Sequence, residues 1–131
     1  MGNYLDKLNP EQRKAVQHIN GPLMVIAGAG SGKTRVLTYR IVHLLKNNVS
    51  PFNILSLTFT NKAAKEMRNR IETMVGKNIS SSLWMGTFHS VFSRILRIES
   101  EKLNYPQNFT IYDTDDSKSL IRSIIKELDL D

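Results

Sequence analysis

Two spacings of apolar residues alternate along this chain, and together they predict a mixed α/β fold. A continuous apolar run at residues 23–27 is typical of a strand that is buried on both faces of a parallel sheet, and residues 54–59 are predicted to form a second strand. Residues 83–88 and 109–112 show the same tendency more weakly. Between these runs, apolar side chains recur every three or four positions, as they do on one face of a helix. The alternation predicts an open, three-layered sandwich whose parallel strands are joined by helical crossovers.

Polar and turn residues mark where the predicted helices begin and end. Asn9 is a predicted N-cap, because a proline follows it at the first helical position and Gln12 stands three residues after it. Another helix is predicted from a cap at Asn61 to a stop at Gly76. The apolar stripe in residues 115–130 predicts a final amphipathic helix that has no glycine or proline stop. We therefore expect the natural protein to continue beyond this chain.

The charge of the chain is unevenly distributed, and this narrows the choice of partners. The net charge is +6, yet residues 1–80 hold 12 Lys or Arg against 4 Asp or Glu, while residues 81–131 hold 6 against 8. An anionic partner, either a nucleotide phosphate or a nucleic-acid backbone, should therefore meet the first part. The alternative is a basic surface that is simply solvated.

Composition excludes or disfavours several kinds of chemistry. The chain has no cysteine, so disulfides, thiolate metal sites and cysteine nucleophiles are excluded. The three histidines, His18, His43 and His89, lack the spacing of metal ligands. The N-terminal residues lack the apolar stretch of a signal peptide, and no later apolar run approaches membrane-spanning length. We expect a cytoplasmic protein without a membrane partner.

A glycine-rich segment between a predicted strand and a predicted helix carries the strongest chemical signal. It fits the pattern of a phosphate-binding loop, except that alanine occupies the usual first glycine. Small residues let successive backbone N–H groups converge at a helix N-terminus, where they favour phosphate. The lysine is placed to reach the outer phosphates, and the threonine hydroxyl can ligate Mg²⁺. The loop consists of Ala27, Gly28, Ala29, Gly30, Ser31, Gly32, Lys33 and Thr34.

Four segments resemble, in order, the motifs of the superfamily 1 DNA helicases of the UvrD, Rep and PcrA type. Residues 8–16 resemble the Q motif of that family, and residues 27–34 resemble its motif I, where alanine at the first position is ordinary. Residues 58–67 resemble motif Ia, and residues 86–90 resemble motif Ib. The resemblance implies an incomplete P-loop NTPase fold of the RecA-like kind, in a motor that uses ATP and Mg²⁺.

The resemblance also implies roles for individual residues. Gln12 would read adenine, Lys33 and Thr34 would make the catalytic contacts to phosphate and Mg²⁺, and Arg35 would lie near the nucleotide. The track for single-stranded DNA would comprise Phe59, Thr60, Asn61, Lys62, Thr87, Phe88, His89 and Ser90.

Independent chemistry agrees with the implied DNA track. An aromatic residue at a strand end suits base stacking, although the alternative for Phe59 is a buried core position. The helix that follows is basic enough to meet backbone phosphates. Its cations are Lys62, Lys65, Arg68 and Arg70.

The resemblance predicts only part of a helicase motor in this chain. Residues 1–114 would be the N-terminal part of motor domain 1A, and residues 115–131 the start of its inserted helical subdomain 1B. The rest of 1B and the domains 2A and 2B would lie outside the chain. Residues 109–113 end in an acidic residue but alternate polar and apolar positions, unlike the buried acidic strand of the family. We therefore expect nucleotide binding and weak DNA binding without hydrolysis; the alternatives are a P-loop kinase and a non-hydrolysing nucleotide-binding module.

Overall fold

The computed structural model describes residues 4–129, and its backbone divides into two compact units, one ending at Phe92 and the other beginning at Ser93. The described strands are β1 (Leu55–Thr58) and β2 (Trp84–Thr87). Short 3₁₀ turns occur at Tyr4–Lys7, Pro51–Asn53 and Ser100–Leu103. The described α-helices are α1 (Pro10–Gln17), α2 (Lys33–Lys46), α3 (Asn61–Val75), α4 (Lys77–Ser81), α5 (Phe88–Ile98) and α6 (Thr114–Glu127).

The two strands form a parallel pair. Leu55 lies opposite Trp84 at one end, and Thr58 lies opposite Thr87 at the other. Helices α3 and α4 make the crossover that a parallel connection requires. The strands predicted at residues 54–59 and 83–88 are thereby confirmed. Because the carboxyl ends of β1 and β2 lie side by side, the residues that follow them in the chain are also neighbours.

An apolar core packs α2 and α3 against this pair of strands. Ile71 of α3 is completely buried. Polar contacts strengthen the same junction, because the Arg68 guanidinium donates to the carbonyls of Ser80 and Met85 at 3.0 and 2.8 Å. The buried members of this core are Ile41, Ile54, Met67, Ile71, Leu83 and Met85.

A second apolar cluster packs α1 against α2. It consists of Leu5, Leu8, Val16 and Val36. The guanidinium of Arg40 on α2 also donates to the carbonyl of Ala15 at 2.9 Å and to that of His18. These contacts place α1 beside the N-terminal half of α2, next to the loop that precedes it.

The second unit contains the end of α5, a 3₁₀ turn and α6. Tyr105 and Phe109 pack edge to face, with their ring centroids 6.2 Å apart. Asp113 caps α6 by accepting from the backbone N–H groups of Asp115 and Asp116, each at 2.8 Å. The apolar stripe of α6 is exposed to solvent, and it comprises Leu120, Ile121, Ile124, Ile125 and Leu128.

Two of the predicted strands are wrong. Residues 23–27 and 109–112 are not strands, and the sheet formed by residues 4–129 has two strands within a mostly helical chain. An apolar run becomes a central strand only where neighbouring strands supply partners for its backbone. In the first of these segments Met24 and Ile26 are 83% and 92% exposed instead of buried. In the second, Ile111 is also exposed.

Smaller differences concern the ends of elements. Thr60, one residue earlier than the predicted cap Asn61, caps α3 by accepting from the N–H of Ala63 at 3.2 Å. The predicted stop of α3 at Gly76 is confirmed, with a positive φ of 88°. The final helix ends at Glu127, and the predicted helical residue 130 lies outside the described residues. Across residues 4–129, no helix has both the length and the apolar character needed to cross a membrane.

Candidate nucleotide site and nucleic-acid face

The predicted phosphate loop folds as a tight turn. Ser31 closes it by donating its backbone N–H and its hydroxyl to the carbonyl of Gly28, at 3.3 and 2.7 Å. Gly30 and Gly32 have φ values of +74° and +86°, in the left-handed region that glycine adopts at little cost. The backbone of the turn therefore explains why glycine occupies these two positions of the motif.

Helix α2 begins directly after this turn. Gly32 is its N-cap and provides no side-chain hydrogen bond to the first helical turn. The first N–H groups of a helix have no intrahelical partners and lie at the positive end of the helix dipole. The start of this 14-residue helix is consequently suited to an anion such as phosphate.

Lys33 lies against the same loop. Its ammonium donates to the carbonyl oxygens of Ala27 and Gly28, at 3.0 and 2.7 Å. A phosphate group at the loop would be a stronger acceptor than either carbonyl, because both partners would then be charged. The ammonium group of Lys33 therefore lies at the phosphate loop itself.

Gln12 connects α1 to the loop while it also caps α1. Its backbone N–H donates to the Asn9 side chain at 2.8 Å, and its side-chain oxygen accepts from the Asn9 N–H at 3.2 Å, which confirms the predicted capping box. Its amide nitrogen donates to the carbonyl of Ser31 at 3.0 Å. A glutamine amide has two N–H groups and two lone pairs. One donor and one acceptor site of Gln12 therefore remain for a ligand.

Two open cavities adjoin the loop and share Gln12, Ser31 and Lys33 in their linings. The first, of about 520 Å³, lies between α1 and residues 23–27. The second, of about 490 Å³, is lined also by Gly30, Gly32, Thr34, Arg35 and Arg70. Residues of α1 and of the phosphate loop that were predicted to contact the nucleotide therefore line the same two cavities. Thr34, the predicted Mg²⁺ ligand, is among the residues that line the second cavity.

Phenylalanines follow both strands at their carboxyl ends. Phe59 comes directly after β1 and Phe88 directly after β2, and their ring centroids are 5.5 Å apart. Phe59 is 92% exposed, so the alternative of a buried core position is wrong. The structure brings together the two predicted DNA segments because β1 and β2 end in register.

The polar residues of these two segments divide into helix caps and exposed positions. The Thr87 hydroxyl accepts from the backbone N–H of Ser90 at 3.2 Å, as an N-cap of α5 does, and Thr60 caps α3 in the same way. Asn61, Lys62 and His89 are exposed to solvent at the first turns of α3 and α5. The predicted set thus contains both structural caps and surface groups.

Two cations of α3 do not occupy the surface predicted for them. Arg68 is engaged by the carbonyls of Ser80 and Met85. Arg70 pairs with Glu66 and lines the cavity beside Thr34 and Arg35. This position of Arg70 could not be predicted from sequence, because the packing of α3 decides which face of the helix lies beside the loop.

The family relationship of this chain follows from comparison with known proteins. The profile described as UvrD/REP helicase N-terminal domain matches residues 8–131, nearly the whole chain. The chain belongs to this UvrD/Rep helicase family. Curated relatives named ATP-dependent DNA helicase PcrA are 50% identical in Staphylococcus epidermidis and 48% identical in Staphylococcus aureus. The alignment covers 100% of this chain and 18% of the length of each relative.

Membership of the UvrD/Rep family confirms the resemblance that was drawn from four short motifs. The matched range contains the phosphate loop and the two predicted DNA segments, residues 59–62 and 87–90. The chain spans less than a fifth of the length of these relatives.

Proposed function

We propose that this chain is the ATP-binding N-terminal part of an ATP-dependent translocase and helicase that acts on single-stranded DNA. The observation that carries the proposal is the convergence of Lys33, the N-terminus of α2 and Gln12 on one glycine-rich loop. Relatives named ATP-dependent DNA helicases support the same conclusion. Membership of the UvrD/Rep family favours this function over a P-loop kinase or a self-contained nucleotide-binding module.

The phosphates of the nucleotide would lie at the start of α2. Lys33 would exchange its two carbonyl acceptors for the outer phosphates, and Thr34 would ligate Mg²⁺. The bound Mg²⁺ would neutralise part of the phosphate charge. Arg35 and Arg70 add two guanidinium groups around the same cavity, which suits a multiply charged anion.

Gln12 would select the base. Its remaining N–H can donate to adenine N7 while its remaining lone pair accepts from the N6 amino group. Guanine presents an oxygen in place of that amino group, so the same arrangement would bring two acceptors together. The existing bond from Gln12 to Ser31 supports this role, because it fixes the amide at the edge of the loop.

The chain itself would bind ATP or ADP without hydrolysing ATP. Phosphoryl transfer to water in P-loop enzymes uses an acidic residue that holds Mg²⁺ and a group that positions the water. Residues 109–113 end in an acidic residue but alternate polar and apolar positions, and residues 109–112 form no strand, which disfavours them as the strand that carries this acidic residue. We therefore expect the chain to bind the phosphates without turning ATP over.

Single-stranded DNA would meet the face formed by the ends of β1 and β2. Phe59 and Phe88 offer exposed rings for base stacking, and Lys62 offers a charge for a backbone phosphate. Thr60 and Thr87 would shape this face through their caps, with Asn61, His89 and Ser90 beside them. We expect binding to be weak and strongly reduced by salt.

The domain arrangement is part of the same proposal. Residues 1–114 would belong to the RecA-like motor domain 1A, and residues 115–131 would begin an inserted helical subdomain 1B. The exposed apolar stripe of α6 supports this assignment, because such a stripe is normally covered by other helices.

Calorimetric titration with Mg·ADP tests the proposal. The 131-residue chain should bind one equivalent, and Lys33→Ala should weaken binding about tenfold or more, because a charge-assisted bond to phosphate is lost. Lys46→Ala is the matched control, since it removes the same charge about 20 Å away at the other end of α2. No measurable binding, or an equal loss in both variants, would contradict a specific phosphate site.

A further inference from the structure

Three phenylalanine rings form a continuous row on the surface of the first unit. The centroids of Phe59 and Phe88 are 5.5 Å apart, and those of Phe88 and Phe92 are 6.5 Å apart with nearly parallel planes at 17°. The three side chains are 92%, 42% and 45% exposed, respectively. Phe92 is therefore the third member of an aromatic surface whose first two members belong to the proposed DNA segments.

The backbone explains why the row exists. Phe59 and Phe88 follow the paired ends of β1 and β2, and Phe92 is placed one helical turn after Phe88 on α5. Residues four apart lie on the same face of a helix. Strand register and helix periodicity together therefore align the three rings.

Val91, the neighbour of Phe92 in α5, is the buried residue of this part of the helix. Val91 is 5% exposed and contacts the region of Gly86, where an added Cβ would lie 3.1 Å from the Val91 methyl group. Phe92 lies next to Val91 in sequence but remains half exposed. Contiguous apolar side chains that remain exposed are typical of an interaction surface.

The charge around the row favours an anionic partner. Residues 58–65 and 86–92 contain Lys62 and Lys65 and no Asp or Glu. Both lysines are exposed on α3, which begins two residues after Phe59. Aromatic rings beside cations are what single-stranded nucleic acid requires, because bases stack on the rings and phosphates pair with the charges.

We propose that Phe92 is a base-stacking contact for single-stranded DNA, which extends the surface of Phe59 and Phe88 along α5. This inference rests on the proposed DNA-binding function and adds a residue outside the four family motifs. The last of those motifs ends at residue 90, so Phe92 lies two residues beyond it.

The test compares fluorescence-anisotropy titrations of labelled oligo(dT) at low salt for the 131-residue chain and its variants. Phe92→Leu, which keeps an apolar side chain, should raise Kd about fivefold or more, as expected for the loss of one stacked base. Phe92→Tyr, which keeps the aromatic face, should leave Kd within about twofold. An oligonucleotide of the same length made of abasic sugars removes the bases, so the unmodified chain and Phe92→Leu should then bind it equally.

The outcomes separate this inference from the proposed function. Phe59→Leu weakening the binding of oligo(dT) while Phe92→Leu does not would overturn the role of Phe92 and leave the DNA-binding face intact. No binding of oligo(dT) by the unmodified chain would overturn both the proposed DNA-binding face and the role of Phe92. A change of melting temperature or of sedimentation in Phe92→Leu, with the Kd of the folded monomer unchanged, would assign Phe92 to packing or self-association and overturn the inference.

Discussion

Gly32 is a residue of the phosphate loop that lies beside the Gln12 side chain of α1. A Cβ added there would lie 2.7 Å from the side-chain nitrogen of Gln12, and the backbone has a φ of +86°. Gly28 in the same loop has no atom within 4 Å of such a Cβ and no positive φ. Two glycines of one motif therefore differ. Gly32 is required by its backbone conformation and by its contact with Gln12, whereas a side chain at Gly28 would fit in this conformation.

Gly32→Ala should lower the free energy of unfolding by about 1–2 kcal/mol, because a side chain in the left-handed region is strained and Gln12 would have to move. Gly28→Ala should change it by less than about 0.5 kcal/mol, as expected for an open surface position. Urea denaturation measures both values. Equal effects of the two substitutions would contradict the roles assigned to these glycines.

Local chemistry could be predicted from sequence at this scale, whereas contacts between distant residues could not. The capping box of Asn9 and Gln12 depends on residues three apart, and it was predicted correctly. The bond from Gln12 to Ser31 joins residues 19 apart, and it depends on how α1 packs on α2. The same reason explains why Arg70 was predicted on the DNA surface and lies instead beside the cavity that Thr34 and Arg35 line.

At the level of elements, strands with a partner were predicted correctly and strands without one were not. β1 and β2 pair with each other through four residues each. Residues 23–27 have a more continuous apolar run than β2, yet they are unpaired and exposed. Apolar pattern predicts the tendency of a segment to be buried, but backbone pairing decides whether it becomes a strand.

The contact between the N-terminal 3₁₀ turn and α2 predicts an acid-sensitive element. The Tyr4 hydroxyl lies 2.6 Å from Nδ1 of His43. Burial, with a smaller contribution from the Arg40 guanidinium, lowers the pKa of His43 below its usual 6.5. Burial also raises the pKa of Tyr4, so its hydroxyl stays protonated and shares one hydrogen bond with the neutral ring, in the direction that the tautomer of His43 sets.

Because unfolding restores the ordinary pKa of His43, the unfolded chain binds a proton at higher pH than the folded chain. Stability should be complete above about pH 6.5 and should fall as the pH decreases below it toward the folded pKa. Urea midpoints measured between pH 5 and 8 test this, with His43→Gln as the variant that lacks the titrating group. An unchanged pH dependence in His43→Gln would show that other groups are responsible.

At the scale of the whole molecule, the two units differ in charge and in the burial of their apolar residues. The basic first unit holds the phosphate loop, the aromatic row and both apolar clusters. In the second unit, the apolar stripe of α6 is exposed throughout. A helix is stabilised mainly by packing of its apolar face, so α6 should be less stable than α3.

Hydrogen exchange should therefore be faster in α6 than in α3, whose Ile71 is completely buried. Backbone amides of α6 should lose protection first when the monomeric chain is placed in deuterated buffer. Sedimentation at the same concentration controls for self-association through the apolar stripe. Equal protection of α3 and α6 in a confirmed monomer would contradict the proposal that α6 awaits further helices.

The central claim is that α1 and the phosphate loop together form a site for adenine nucleotides, and base discrimination tests it most directly. The affinities of Mg·ADP, Mg·GDP and Mg·7-deaza-ADP should be measured by calorimetry on the unmodified chain, which leaves the bond between Gln12 and Ser31 intact. Mg·ADP should bind more tightly than Mg·GDP by about 1–3 kcal/mol, the value of a two-point contact to a base edge. Replacement of N7 by carbon should remove part of that advantage, because Gln12 would lose one of its two partners. Equal affinities for all three nucleotides would contradict the claim.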